Sequence, residues 1–161
     1  MPITEDRLVS QYEAIHKRKQ YGQTGHEFAL QIQACLLDLK PKTVLEYGCG
    51  QSKLGEILEL GETVWVRYDP AIPSLATIPI NRADLIISTD VMEHIPEKDV
   101  ADILGHLRAL SENCFFNIAT RPAREVLSNG ENAHCTLWSD DQWLQVIRQF
   151  FPAAAIAHSR A

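Results

Sequence analysis

The chain lacks the features that mark membrane, secreted and nucleic-acid-binding proteins. No apolar run is long enough to cross a bilayer, and the polar segment 1–20 has no signal-peptide core. These absences predict a protein without membrane contact and with a cytoplasmic location. Lysine and arginine are scattered rather than grouped into a stripe, and the formal net charge is −6. This balance argues against a nucleic-acid partner, because such proteins usually present a basic surface to the phosphates.

The sequence also lacks cysteines in any pattern that would hold a metal ion. No two of its four cysteines have the short separation that is typical of zinc sites. Each lies in or beside an apolar run, so we expect small buried side chains rather than ligands. The four are Cys35, Cys49, Cys114 and Cys135.

What is present is the composition of an ordinary α/β domain. With 161 residues, 45% of them apolar, the chain can bury a normal core. Predicted strands alternate with helices, which indicates a mainly parallel sheet with helices on its faces. We expect one domain over residues 1–161, in which N-terminal helices (1–40) form a cap over a sheet core (41–161). The strands are predicted over residues 43–47, 63–68, 84–89, 114–119 and 153–158.

Two capping boxes and one gap refine this pattern. Thr24 with Glu27, and Ser139 with Gln142, have the spacing that predicts the start of a helix. The segment 71–82 holds two prolines and has room for neither a further helix nor a further strand. We therefore expect a reduced sheet that lacks the usual third strand.

The most informative segment is a predicted buried strand that runs into a glycine turn, Gly48-Cys49-Gly50. Gly48 can adopt a positive φ, and Gly50 allows a ligand to approach the backbone closely. The free amides at the start of the following helix are expected to hold an anionic group. Lys53 occupies the place of the third glycine of a dinucleotide fingerprint. A ligand without a pyrophosphate is therefore favoured, and a nucleotide-cofactor oxidoreductase is the weaker interpretation.

Acidic residues follow the next two predicted strands. Asp69 lies about 20 residues after the glycine turn, the spacing at which a carboxylate meets ribose hydroxyls. It precedes Pro70, so the alternative is an aspartate that only shapes a turn. The run from Asp90 to Pro96 then places two carboxylates and an imidazole at the rim of the sheet.

These three segments together resemble the class I S-adenosylmethionine-dependent methyltransferases, and more loosely their small bacterial and phage-type members. The resemblance is carried by LEYGCG (45–50), YDP (68–70) and DVMEHIP (90–96). It implies a Rossmann-like, doubly wound α/β fold and the cofactor S-adenosylmethionine, with S-adenosylhomocysteine as product. It also implies methyl transfer to a hydroxyl or amine of a small polar acceptor, such as a sugar or sugar acid.

The resemblance further implies a set of cofactor contacts. Residues after the first strand would line the methionine half, Asp69 would bind the ribose diol, and residues after the third strand would lie beside the sulfonium. Independently of the resemblance, Tyr21 and Thr24 are expected to form a lid over the cofactor, because the glycines near them permit hinge motion. The implied contacts are Glu46, Gly48, Cys49, Gly50, Asp69, Pro70, Asp90, Val91 and Tyr21. What contacts the adenine is left open, because the usual third strand has no counterpart.

Candidate catalytic residues fall in the long polar loop 120–138 and in the motif before it. His134 is the candidate general base, since a histidine near its ordinary pKa can accept the acceptor's proton. His94 is the rival, and Arg121 is a candidate anchor for an anionic acceptor. Each of them has a structural or solvated role as the alternative. Asp90, Glu93 and His94 could serve as metal ligands, but their close spacing is unlike a dedicated site. No metal is therefore expected.

A second function remains open on the same residues. A reduced domain that keeps the cofactor pocket could serve as a non-catalytic S-adenosylmethionine-binding module that regulates or scaffolds a partner. The sequence does not indicate the acceptor or the oligomeric state.

Overall fold

The computed structural model describes residues 6–158, which form five α-helices and one parallel sheet of five strands. No helix within this range is long and apolar enough to cross a membrane. The helices are α1 (Asp6–Arg18), α2 (Ala29–Leu39), α3 (Leu54–Ile57), α4 (Val100–Leu110) and α5 (Asp140–Phe150). The strands are β1 (Thr43–Tyr47), β2 (Val64–Tyr68), β3 (Leu85–Thr89), β4 (Cys114–Ile118) and β5 (Ala155–His158).

The strand order is β2-β1-β3-β4-β5, and every neighbouring pair is parallel. This is a Rossmann-like, doubly wound arrangement and confirms the predicted fold class. The chain runs outward from β1 to β2 and then returns to the other side of β1 with β3. Ligands in such sheets bind beyond the carboxyl ends of the strands, at the point where the order reverses. That point lies between β1 and β3.

Helices cover both faces of the sheet. On one face α4 and α5 pack against Leu45, Ile86 and Phe116. On the other face α2 and α3 pack against Val44, Ile87 and Phe115. Because the side chains of a strand alternate between faces, adjacent residues such as Val44 and Leu45 enter different cores. The apolar runs of the strands follow from burial on both sides.

The sheet is reduced as predicted. Residues 71–84, between β2 and β3, contain only one short 3₁₀ turn, Pro73–Leu75, and no strand. Consequently β2 is an edge strand, and no further strand extends the sheet beyond it within residues 6–158. The segment instead folds back at the carboxyl end of β2, where the amide of Asp69 donates to the carbonyl of Leu75.

One of the two predicted capping boxes is present. Ser139 accepts from the amide of Gln142, and the Gln142 side chain accepts from the amide of Ser139, which starts α5. The prediction at Thr24 is wrong, because residues Thr24–Phe28 form a 3₁₀ helix without a side-chain cap. The hydroxyl of Thr24 donates instead to Asp90.

The first helix lies away from both faces of the sheet. Ile15 of α1 packs against Leu127 and Ala133 of the long loop 120–138. Arg18 and Lys19 both pair with Glu125 of the same loop. These contacts hold α1 and the loop together near the carboxyl edge of the sheet, whereas α2 belongs to the core of one face.

A candidate ligand cleft at the carboxyl edge of the sheet

A cleft opens at the carboxyl edge, where the strand order reverses. Its free space, counted with the part open to solvent, is about 680 Å³. Its floor is formed by the residues that follow β1, β2 and β3, and its cover by α1 and the segment after it. The lining residues are Leu8, Val9, Tyr12, His16, Tyr21, Gly22, Tyr47, Gly48, Gly50, Asp69, Pro70, Ala71, Asp90, Val91, His94 and Ile95.

The glycine turn is shaped by contacts within the chain. Gly48 has φ of +69°, and a Cβ placed on it would lie 2.5 Å from a methyl carbon of Val91. The amides of Gly48 and Cys49 both donate to the carbonyl of Tyr68, and the amide of Gly50 donates to Asp69. These three bonds fix the turn to the end of β2. The amides at the start of the following helix are also in use, since those of Lys53 and Leu54 donate to His26 Nε2 and to the Ser52 hydroxyl. The prediction that the helix-start amides are free to hold an anionic group is therefore wrong.

Gly50 is a place of close approach, but the approaching group is the chain itself. With φ of +51°, a Cβ on Gly50 would lie 2.9 Å from Cα of Gly22 and 3.0 Å from the carbonyl oxygen of Tyr21. The amide of Gln51 donates to that same carbonyl. The segment 21–22 is thus seated on the glycine turn, and both line the cleft.

Asp69 is buried at the end of β2 and borders the cleft. One carboxylate oxygen accepts from the amide of Gly50 at 2.8 Å, and the other accepts from the amide of Ala71 at 2.8 Å. A carboxylate has about four acceptor positions, so a position on each oxygen is left for a ligand. Asp69 therefore shapes its turn, as the alternative held, and also presents a carboxylate to the cleft. Pro70 lies beside it in the lining.

Two implied cofactor contacts lie outside the lining. Glu46 is buried on the α2 face of the sheet, where it accepts from the indole Nε1 of Trp65 at 2.8 Å. Burial raises the pKa of Glu46, although bonds from Ser52 and Trp65 oppose this. Cys49 is buried beside the turn, and burial raises the pKa of its thiol to about 12. Neither residue lines the cleft.

Asp90 holds a strained position at the end of β3. Its φ is +59°, which a non-glycine residue seldom adopts and which is frequent at functional sites. Its amide donates to the carbonyl of Asn117, and its Oδ2 accepts from the hydroxyl of Thr24 at 3.0 Å. The carboxylate is thereby fixed with Oδ1 turned toward His134, whose Nε2 is 3.8 Å away.

His94 lies at the same end of the cleft and is almost fully buried. Its Nδ1 is 2.8 Å from the carbonyl oxygen of Ala133 and 2.6 Å from the hydroxyl of Tyr12. A carbonyl can only accept, so the proton is on Nδ1 and the Tyr12 hydroxyl donates to Ala133. Burial lowers the pKa of His94 to about 4, although the Asp90 carboxylate opposes this. The imidazole is therefore neutral at pH 7.

His134 lies beside His94, with the two rings in an edge-to-face arrangement and their centroids 4.7 Å apart. Its Nδ1 is 2.6 Å from the carbonyl oxygen of Arg121, so this nitrogen also carries the proton. The Arg121 side chain is exposed and does not line the cleft. Its predicted contact with an anionic acceptor therefore has no support, and its contribution is the carbonyl that orients His134.

Glu93 lies beneath this end of the cleft and is completely buried. One carboxyl oxygen accepts from the amide of Ala119. The other has no hydrogen-bond partner among residues 6–158. Burial and the neighbouring Asp90 carboxylate raise the pKa of Glu93 well above its usual value. The cluster at the rim is thus Asp90, His94 and His134, with Glu93 behind it.

Sequence reasoning expected the N-terminal helices to form a cap, but it did not identify the residues by which α1 lines the cleft. Leu8, Tyr12 and His16 line the cleft, and they follow one another at intervals of four residues. Residues at this spacing share one face of a helix. The spacing was visible in the sequence, but nothing in it indicated that this face turns toward the cleft. The Tyr12–His94 contact joins residues that are 82 positions apart.

Comparison with protein-family models, with curated proteins and with solved structures gave no match.

Proposed function

We propose that the protein binds S-adenosylmethionine in this cleft and transfers its methyl group to a hydroxyl or amine of a small polar acceptor. The supporting observation is the arrangement of the two ends of the cleft. Asp69 and the glycine turn lie at one end, and Asp90, His94 and His134 lie at or beside the other. Both ends meet at the reversal of strand order, where doubly wound sheets bind their ligands.

The Asp69 end fits the nucleoside. The carboxylate positions that Gly50 and Ala71 leave unused can accept hydrogen bonds from a vicinal diol. Tyr47, Ala71 and Val91 supply apolar lining between this diol and the far end. The Asp90 carboxylate supplies negative charge, which suits a sulfonium cation. Glu46 and Cys49 take no part in this binding mode, because they lie outside the lining.

The histidine end fits the acceptor. His94 lines the cleft and carries its proton on Nδ1, so its Nε2 presents a lone pair. His134 presents Nε2 toward Asp90 in the same way. An acceptor hydroxyl or amine held here loses its proton to one of these nitrogens. When bound, S-adenosylmethionine supplies the methyl group: the acceptor's electron pair forms the new bond to the methyl carbon, and the carbon–sulfur pair goes to sulfur.

Two effects account for the acceleration that this site would provide. Alignment of the acceptor with the methyl carbon replaces a bimolecular encounter and gives the larger share. Proton removal by a positioned imidazole adds about 10²–10⁴-fold. The cover formed by α1 and residues 21–22 excludes water from the reacting atoms and has to open for exchange of ligands.

The test is calorimetric titration of the protein with S-adenosylmethionine, comparing wild type with Asp69→Asn. We expect wild type to bind and Asp69→Asn to bind at least about tenfold more weakly, since one charge-assisted bond from the diol is lost. Asp84→Asn is the matched control, because Asp84 also accepts from two backbone amides, those of Lys42 and Thr43, but lies away from the cleft. No binding by wild type at millimolar cofactor would refute the proposal.

A second measurement separates methyl transfer from binding alone. With labelled S-adenosylmethionine and a panel of small hydroxyl and amine compounds, wild type should methylate at least one compound and His94→Ala should be slower by about 10²-fold or more. Binding of the cofactor without transfer to any compound would instead favour the non-catalytic module.

A further inference from the structure

Three side chains that could ligate a metal converge at the acceptor end of the cleft. One ligand atom from each of Asp90, His94 and His134 lies within 4.8 Å of the other two. Within the cluster, Nε2 of His134 and Oδ1 of Asp90 are 3.8 Å apart. His94 and His134 are each only 8% exposed, so packing of the surrounding chain holds both rings in position. The set combines two residues of the segment 90–96 with one residue of the loop 120–138.

Both imidazoles are oriented as metal ligands usually are. A histidine ligand typically donates its other ring N–H to a backbone carbonyl or a carboxylate, which fixes the ring and the tautomer. Here His94 donates from Nδ1 to the carbonyl of Ala133, and His134 donates from Nδ1 to the carbonyl of Arg121. Each ring uses Nδ1 in this hydrogen bond, so Nε2 is the nitrogen that can act as a ligand.

The carboxylate is oriented in the same manner. Thr24 donates to Oδ2 of Asp90, which leaves Oδ1 for the shared position. The positive φ of Asp90 is maintained by the bond from its amide to the carbonyl of Asn117. Every member of the cluster thus has its own supporting contact, and those contacts come from outside the cluster. A merely accidental grouping of surface residues would not have this second layer of support.

We propose that Asp90, His94 and His134 bind a divalent transition-metal cation of the zinc or ferrous class. Two imidazoles and one carboxylate are a ligand set that such cations favour, and three protein ligands leave positions open for water or substrate. Metal–ligand distances of about 2.0–2.2 Å put the ligand atoms of a tetrahedral site about 3.4 Å apart. Because the ligand atoms lie within 4.8 Å of one another, the cluster has to contract by up to about 1.4 Å to reach this geometry, which side-chain rotation supplies.

The open positions face the cleft, because Asp90 and His94 line it. If the proposed methyl transfer holds, an acceptor oxygen would bind there and lose its proton more readily, since the cation stabilises the alkoxide. Both Nε2 lone pairs are then occupied, so the cation replaces the imidazole as the activating group. The binding of the cation itself does not depend on methyl transfer.

The test is titration of Co²⁺ into the untagged full chain after treatment with a chelator, followed by visible absorption and, for Zn²⁺, by calorimetry. We expect one equivalent of Co²⁺ to give the absorption bands of a low-coordinate nitrogen and oxygen site. His94→Ala and His134→Ala should each weaken binding at least tenfold. Asp90→Asn keeps the size of the side chain and serves if an alanine variant fails to fold. His106→Ala, which removes a histidine that belongs neither to the cluster nor to the cleft lining, is the control and should bind like wild type.

Several outcomes would overturn the metal site. These are the absence of one-equivalent binding by wild type, equal binding by the two histidine variants, or tight binding of Mg²⁺, which avoids imidazole ligands. The separate titration with S-adenosylmethionine distinguishes the two proposals. Cofactor binding without Co²⁺ binding would leave the proposed function intact and remove the metal, and the reverse result would leave only the metal.

Discussion

The contact between Gly48 and Val91 permits a quantitative test of how the two loops of the cleft are joined. Replacing Gly48 with alanine adds a Cβ that would lie 2.5 Å from one methyl of Val91 and 3.1 Å from the other. Real Cβ atoms do not approach other carbons so closely, so one of the two loops has to move. The substitution also forces an alanine into φ of +69°.

The two costs can be assigned separately. A left-handed backbone at alanine costs about 1–2 kcal/mol. Overpacking of this kind typically adds about 1–3 kcal/mol. We therefore expect Gly48→Ala to lower the free energy of unfolding by about 2–5 kcal/mol. Gly61→Ala isolates the first cost, because Gly61 has φ of +57° and nothing within 4 Å of its added Cβ. Its expected cost is about 1 kcal/mol.

The assay is urea unfolding followed by circular dichroism, applied as a double-mutant cycle with Val91→Ala. Since Val91→Ala removes the overlapping methyls, the double variant should recover about 1–3 kcal/mol relative to the sum of the single changes. If Gly48→Ala costs no more than Gly61→Ala, or if the cycle shows no coupling, the described packing of the glycine turn against residue 91 is wrong.

Three further predictions concern other parts of the molecule. Burial raises the pKa of Glu46, so the folded state binds more protons than the unfolded state above about pH 4.5, and this group's contribution to the free energy of unfolding falls as pH rises. Glu46→Gln should flatten that decline in urea unfolding between about pH 5 and pH 8. An unchanged slope would contradict the prediction. Ser139→Ala removes the side chain that accepts at the start of α5 and should cost about 1 kcal/mol in thermal or urea unfolding. Arg121→Ala should leave methyl transfer within about twofold of wild type, because the carbonyl that orients His134 remains, whereas a large rise in the acceptor's KM would show that the guanidinium binds it.

The sheet was predictable because its signals are local. The strand at residues 43–47 and the helix that begins after Ser139 are marked by apolar runs, turns and a capping box that involve neighbouring residues only. The missing third strand was predictable for the same reason, since two prolines within residues 71–82 leave no room for it.

The errors in the site arise from long-range pairing. Thr24 has the spacing of a capping residue, but its hydroxyl donates to a carboxylate that lies 66 residues later. The amides at the start of the helix after the glycine turn were expected to be free, yet the amide of Lys53 donates to His26, which lies 27 residues earlier. A local pattern cannot show which of several acceptors will reach a given amide once the strands are aligned.

The histidine cluster likewise combines local sequence signals with a contact between distant segments. His94 and His134 were each singled out from their own segments, but their mutual distance depends on how the loop 120–138 returns across the sheet edge. Glu93 belongs to the set whose close spacing argued against a metal site, and its carboxyl group accepts from the amide of Ala119 instead. In the cluster, His134 lies beside Asp90. The composition of the cluster therefore could not be read from the spacing within residues 90–96.

The seating of residues 21–22 on the glycine turn has a thermodynamic consequence. The cleft is bordered by α1 and by three loops of the sheet, so any ligand that fills it bridges the first helix to the rest of the domain. Occupancy must then stabilise α1 against local opening by the same free energy that the helix contributes to affinity. Amide hydrogens and protease-sensitive bonds of α1 would report cleft occupancy, whatever small molecule proves to fill it.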